Sequence, residues 1–279
     1  MSQSSAVPSV LIFAGLDPSG GAGLLADAEA AREMGARPLC VPTALTVQSR
    51  TIAFGFEPVS PDYLRAAALA LAAGADPRAP DDESGSLRIS AVKIGMLASH
   101  AVAQALLELL EDPRLSRLPV ILDPVLAASS GTSLFRGTPG EASTVIRALW
   151  NRALVTPNAL EAQQLLELAE PPRDAGALES AARALVAAGA QAALVKGGHA
   201  QGGEAIDVLA ESSPHGIVVT HLRGARLRGA GTGAPLSARG TGCRLAAALA
   251  AGRALGQPAP LAAQNAKALV RRYLEREGR

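Results

Sequence analysis

Aromatic side chains are scarce in this chain of 279 residues: one Trp, two Tyr and four Phe make up 3%. That scarcity argues against a surface that stacks bases or anchors a partner through aromatic hot spots. Cysteine is nearly absent. Cys40 and Cys243 stand far apart, which excludes a disulfide framework and fits a reducing compartment. Charge of one sign is also missing, because 26 Lys and Arg face 25 Asp and Glu for a net +1. No field of the kind that holds nucleic acid follows from that balance. Uninterrupted apolar runs stop short of membrane-spanning length, and Met1–Pro8 lacks the basic segment and apolar core of a signal peptide. These absences lead us to expect a soluble, cytoplasmic, alanine-rich protein with no nucleic-acid and no membrane partner.

Glycine is what the chain has in place of those features, most densely from Gly229 to Gly256. There Arg239-Gly240-Thr241-Gly242-Cys243 runs directly into the helix-forming Arg244-Leu245-Ala246-Ala247-Ala248-Leu249. Small residues before a helix leave backbone N–H groups pointing outward, an arrangement suited to a phosphate or an oxyanion. The glycines on either side of Thr241 admit close approach to the backbone. Cys243 falls in the first helical turn, where a thiolate is favoured. The plainer alternative is a tight loop before a buried helix, with a small buried cysteine.

Along the chain, short apolar runs alternate with helical segments. Val10–Ala14 reads as a strand, Gly15–Gly23 as a glycine-rich loop and Leu24–Met34 as a helix, although the loop is neither a Walker A motif nor a dinucleotide fingerprint. Further strands are expected at Pro38–Thr43, Ala91–Met96, Val120–Leu122, Leu154–Thr156 and Ala192–Val195. Helices are expected at Pro61–Ala73, Ser99–Leu110 with Ser99 as its cap, Glu141–Trp150, Asn158 through Leu168, Leu178–Ala188, Gly242–Leu255 and Leu261–Glu275. Residues 203–210 and 216–221 suggest a hairpin or edge pair, and the polar stretch 74–90 an exposed loop. The alternation predicts an α/β fold: an open, mostly parallel sheet with helices on both faces. Residues 1–9 are expected to form a flexible N-terminus and 10–279 one domain.

Such sheets bind ligands outside the carboxyl ends of their strands. Asp17, Gln48, Lys93, Asp123, Asn158, Lys196 and the loop before Cys243 all follow expected strands. Each also has a bland reading: Asp17-Pro18 is a turn signature, Asn158 a helix cap, Lys196 a solvated strand end.

Seven ordered segments carry a resemblance: Ala14–Gly23 with Ala26-Asp27; Thr43–Gln48; Val92-Lys93-Ile94-Gly95-Met96-Leu97; Leu122-Asp123-Pro124-Val125; Val155-Thr156-Pro157-Asn158 with Glu161; Lys196-Gly197-Gly198-His199; and Gly240-Thr241-Gly242-Cys243. The chain resembles the hydroxymethylpyrimidine/phosphomethylpyrimidine kinases of thiamine biosynthesis, within the ribokinase-like superfamily. That resemblance implies a three-layer α/β/α fold, a homodimer, and ATP- and Mg²⁺-dependent phosphorylation of a hydroxymethyl pyrimidine and then of its monophosphate. It implies that Gly240, Thr241, Gly242 and Cys243 hold the transferring phosphoryl group, with Cys243 as the catalytic cysteine. The Cys243 thiol would take the acceptor's proton or else only shape the hole; we favour the base. Gly15, Gln48, Asp27, Gly21 and Gly23 would form the pyrimidine pocket. Lys196, Asn158 and Arg239 would meet the nucleotide phosphates, and Asn158, Glu161 and Asp123 would organise magnesium directly or through water.

The chain departs from the family pattern at two charged positions. Ser237-Ala238-Arg239 stands where Asn-Thr-His is usual, and Ser129 stands near a usual lysine. Loops 74–90 and 224–235 are longer than usual. Two other functions stay open: a pyridoxine/pyridoxal kinase, and a non-catalytic pyrimidine-binding protein that keeps the fold.

Overall fold

Strand β1 (Pro8–Leu16) is buried from Ser9 through Gly15, so its neighbours must cover both of its faces. Successive side chains alternate between two cores. Leu11 and Phe13 enter one; Val10, Ile12 and Ala14 enter the other. The computed structural model describes residues 7–49, 52–73, 88–127, 133–198, 203–229 and 233–277. Residues 1–6, Ser129, His199, 74–87 of the expected loop and 230–232 lie outside the described residues.

The chain continues through α1 (Gly23–Glu33), β2 (Arg37–Gln48), β3 (Ala53–Pro58), α2 (Pro61–Ala73), β4 (Arg88–Ile94), β5 (Ala98–Ser99), α3 (His100–Leu110), β6 (Val120–Leu122), β7 (Phe135–Arg136) and α4 (Pro139–Trp150). It ends through β8 (Ala153–Val155), α5 (Ala159–Leu166), α6 (Ala175–Ala187), β9 (Ala192–Val195), β10 (Glu204–Ser213), β11 (Gly216–Ala225), α7 (Thr241–Ala254) and α8 (Ala259–Glu277). Nine strands form one sheet in the order β11-β10-β9-β8-β6-β4-β1-β2-β3. The run from β9 to β2 is parallel, while β3, β10 and β11 add antiparallel edges. Strands β5 and β7 make a small separate pair.

Helices α2 to α6 contribute Leu64, Leu106, Ile146, Leu165 and Leu185 to the core on one face. Helices α1, α7 and α8 cover the other with Leu24, Leu249 and Leu269. The expected three-layer α/β/α architecture is thus what the chain forms. Alanine explains the second face: from Leu245 to Ala251 every residue of α7 is buried, as a helix between a sheet and another helix must be. A Cβ on Gly252 would lie 2.8 Å from that of Ala262 on α8, so the close approach needs residues without bulk.

Local chemistry sets several boundaries. The Ser99 hydroxyl caps α3 by accepting from the Val102 N–H. Thr138 and Glu141 form a capping box that starts α4 two residues before the expected Glu141. Strand β2 runs past Thr43 to Gln48 because β3 pairs with it antiparallel. Strand β3 carries little local strand signal, since Ala53–Pro58 is only partly buried and holds a glycine and a proline.

Candidate active site

The carboxyl ends of the parallel strands bring the predicted groups together. Beyond β6, Asp123 accepts hydrogen bonds from Lys196 Nζ at 2.9 Å and from the Thr156 hydroxyl at 3.1 Å. Lys196 follows β9 and is tied to the end of β8, its N–H donating to the Pro157 carbonyl at 2.9 Å. Its ammonium also lies 4.0 Å from Glu161 Oε2. The loop before α7 arrives from the other side: a Cβ on Gly242 would be 3.2 Å from Lys196 Nζ and 4.0 Å from Asp123 Oδ2. Lys196 is therefore no solvated strand end.

Gly240 caps α7 in the left-handed region, φ 75°, leaving the amides of the first turn facing outward. It packs against the Gly15–Gly23 loop so closely that an added Cβ would sit 2.2 Å from the Gly21 carbonyl oxygen. Gly23, also left-handed, lies under the Gly15 carbonyl, 2.1 Å from where its own Cβ would be. Met96 covers Gly15. Asp17 organises this loop by accepting from the Ser19 N–H, the Ser19 hydroxyl and the Ala22 N–H, so its turn-forming reading holds.

Burial sets the electrostatics. Asp27 and Lys93 form a 2.7 Å ion pair with both side chains at most 1% exposed. Burial pushes the Asp27 carboxyl up to about 6 against the pull of Lys93. Burial draws the Lys93 ammonium down, but the carboxylates around it, Asp27 first and then Asp123, carry it above its ordinary value. For Lys196 burial also opposes the charge, and Asp123 and Glu161 outweigh it. Burial opposes the Asp123 charge too, yet Lys196 and Lys93 hold its carboxyl low. Glu161, with less help from Lys196, is raised by burial to about 7.

At three expected site residues the fold adds contacts that bear on their roles. Cys243 lies in the first turn of α7, but burial and then the nearby Asp27 charge raise its thiol to about 11, so it is protonated at neutral pH. A base role for Cys243 would need that raised thiol to be brought down when ligands bind. Asn158 spends its Oδ1 on the Leu160 and Glu161 N–H groups, and Glu161 Oε2 accepts from the Asn158 N–H. The Asn-x-x-Glu pair is thus a capping box, and Asn158 positions Glu161 instead of offering a free oxygen. Arg239 turns to the end of β2, where its guanidinium donates to the Gln48 side-chain oxygen and to the Ser49 carbonyl.

Comparison with known proteins settles the affiliation. The family described as "Phosphomethylpyrimidine kinase" matches residues 17–278. The chain belongs to the phosphomethylpyrimidine kinase family. A hydroxymethylpyrimidine/phosphomethylpyrimidine kinase from Streptomyces coelicolor is 36% identical over 94% of this chain and 87% of its own length. A phosphomethylpyrimidine kinase structure from Clostridium difficile, 24% identical, shares the fold with TM-score 0.73 over 96% of this chain and 99% of its own. The pyridoxal kinase of Staphylococcus aureus in complex with AMP-PCP superposes with TM-score 0.76 at 25% identity, over 95% of this chain and 87% of its own.

Several residues of this family member escaped the sequence reading. Lys93 stands inside the apolar run Ala91–Met96, where a lysine requires a buried partner, and the fold supplies Asp27. Arg244 is buried, stacks 3.9 Å from the Tyr273 ring centre, and donates to the Gly21 carbonyl and to Glu29. Asp207 accepts from the Gly197 N–H at 2.9 Å and from Lys267 at 2.6 Å, which fixes the loop after Lys196. No local pattern marks these contacts, because they join segments far apart in sequence.

Magnesium suits the donors present. Among the described residues Asp123 Oδ2 and Glu161 Oε1 take no hydrogen bond, leaving hard oxygens beside Lys196. The described residues hold no cluster of three or more acidic, His or Cys side chains, so a divalent ion would complete its shell with water and phosphate oxygens.

Proposed function

We propose that this chain transfers the γ-phosphoryl group of ATP to a hydroxymethyl pyrimidine and then to its monophosphate, the family reaction that serves thiamine biosynthesis. One observation carries the reading: the amide-lined turn Gly240–Cys243 lies between Lys196 and Asp123 on one side and the Gly15–Gly23 loop on the other. Phosphoryl transfer asks for alignment of the two oxygens and for positive potential around the moving group. The α7 amides and Lys196 supply that potential, and Gln48 at the end of β2 reads the ring. The acceptor oxygen bonds to the γ-phosphorus as the bond from that phosphorus to the β–γ bridging oxygen breaks, and ADP leaves. Magnesium, when bound through Asp123 and Glu161, would neutralise phosphate charge beside Lys196. The Cys243 thiol serves in the rim of the hole, with its proton in place. All the named groups belong to one sheet and its flanking helices, which supports reading the chain as one kinase domain, with Pro8 and Ser9 already in β1 and not in the expected flexible N-terminus. The resemblance adds the expectation of a cytoplasmic homodimer.

The test is ADP release with Mg-ATP and hydroxymethylpyrimidine, with product masses read by mass spectrometry. Monophosphate followed by pyrophosphate is expected. Pyridoxal is the second acceptor to assay, because the S. aureus pyridoxal kinase shares the fold over nearly the whole chain. Preferential turnover of pyridoxal would replace the pyrimidine reading, and pyrimidine binding without ADP release would leave a non-catalytic binding protein.

A further inference from the structure

Arg239 is bonded in a way the sequence pattern does not foresee. Its guanidinium donates to the Ser49 carbonyl at 2.8 Å and to Gln48 Oε1, and lies 3.6 Å from Asp17 Oδ2. The Asp17 carboxylate is already engaged by three donors of its own loop. Among the described residues, then, Arg239 hydrogen-bonds to two neutral carbonyl oxygens, and its carboxylate neighbour Asp17 forms a looser ion pair at 3.6 Å. Its side chain is 21% exposed and lies along the backbone of Gly21. Its own carbonyl is pinned by the Tyr273 hydroxyl at 3.0 Å, and the next residue is the Gly240 cap. One short loop thus carries both the turn for the transferring phosphoryl group and a guanidinium bound to the ring-reading amide.

On the proposed reading, a phosphate already on the acceptor must lie between the ring at Gln48 and the turn at Gly240–Cys243. Arg239 spans that gap. We propose that Arg239 binds the phosphate of a phosphorylated acceptor and is the residue that makes the monophosphate a better acceptor than the neutral alcohol. The planar guanidinium matches a phosphate with paired donors, and it exchanges two neutral hydrogen-bond partners for a dianion while the Asp17 carboxylate is held by its own loop. The exchange frees Gln48 Oε1 for a donor on the ring. With the alcohol, no anion draws Arg239 away, and it competes with the ring for the same oxygen.

The two transfers also differ in proton balance. In the second, an anionic oxygen of the monoester attacks the γ-phosphorus while the bond to the ADP oxygen breaks, and no proton has to leave the nucleophile. In the first, the alcohol must release its proton. A fixed cation therefore serves the second transfer more than the first.

The experiment compares kcat/KM for hydroxymethylpyrimidine and for its monophosphate in the wild type, R239Q and R239K. In the wild type the monophosphate is expected to be the better acceptor. R239Q should lower the ratio of monophosphate to alcohol efficiency about ten- to hundredfold, chiefly through the KM of the monophosphate, and R239K should recover part of it. An equal loss on both acceptors, or an unchanged ratio, would overturn the proposal and leave Arg239 a brace for the loop. Calorimetric binding of the pyrimidine monophosphate separates this idea from the kinase reading. If the wild type turns over neither acceptor yet R239Q weakens that binding tenfold or more, Arg239 stands as the phosphate-binding residue, and the kinase reading and the acceptor preference fall. If R239Q leaves that binding as it was, the Arg239 assignment falls.

Discussion

Gly240 is the position where a single methyl group tests the proposed anion-binding turn. Its φ of 75° lies in the left-handed region, which an alanine enters at about 1–2 kcal/mol. The added Cβ would also stand 2.2 Å from the Gly21 carbonyl oxygen and 2.8 Å from the Arg244 guanidinium. The first contact is with backbone, so relief requires the two loops to separate, at about 1–3 kcal/mol for overpacking of this kind. Gly256 provides the control: its φ is 79°, but nothing lies within 4 Å of an added Cβ. Gly256→Ala should carry the conformational cost alone, a fall in Tm of roughly 2–4 °C. Gly240→Ala should melt lower still. It should also lose about 10²- to 10³-fold in kcat, the usual effect of displacing one donor from a site that stabilises developing charge. Melting curves and single-turnover rates on both variants make the comparison. A Gly240→Ala enzyme with kcat within about threefold of wild type would refute the placement of the transferring phosphoryl group at this turn.

Other consequences concern the buried charges. Lys93→Met leaves the Asp27 carboxyl without its ion partner and should cost about 3–5 kcal/mol in denaturant unfolding, whereas Asp27→Asn with Lys93→Met should lose less than the sum of the two single changes. Additive losses would mean that the pair is not coupled. Glu161, held at about 7 in the fold against an ordinary 4.5, keeps its proton in the folded chain after the unfolded chain has lost it. Its contribution to stability is therefore largest at low pH and declines as pH rises from about 4.5 through about 7. Glu161→Gln should flatten the fall in Tm between pH 5 and pH 8 in magnesium-free buffer, and a wild-type slope in that variant would contradict the assignment. Cys243, with its thiol near 11, should react slowly with iodoacetamide at pH 8 and quickly only near pH 11, followed by mass spectrometry. Fast alkylation of Cys243 at pH 8 would restore the thiolate and with it the case for a base.

The local chemistry of the chain determined the layers and the position of the site. Continuous apolar runs such as Val10–Ala14 require cover on both faces, and alternation with helices then requires a parallel sheet. Polar groups that follow strands must gather at the carboxyl edge, which is where Asp123, Lys196 and Gln48 are found. The motif before α7 was equally legible, because glycine spacing and a helix start are properties of adjacent residues. The charge states were not. Whether Cys243 is thiol or thiolate depends on how deeply α7 is buried and on its distance from Asp27, and neither quantity is encoded in the sequence around it. For Asn158 the sequence left a helix cap and a part in organising magnesium open, and the fold shows the cap, with one oxygen serving two helix N–H groups. Arg239 is the clearest case. Gln48 and Asp17 stand far from it along the chain, and only the packing of Gly240 against Gly21 brings its guanidinium to them. Tertiary structure decided these points because desolvation and long-range pairing are set by which surfaces meet, and local pattern specifies only which surfaces need covering.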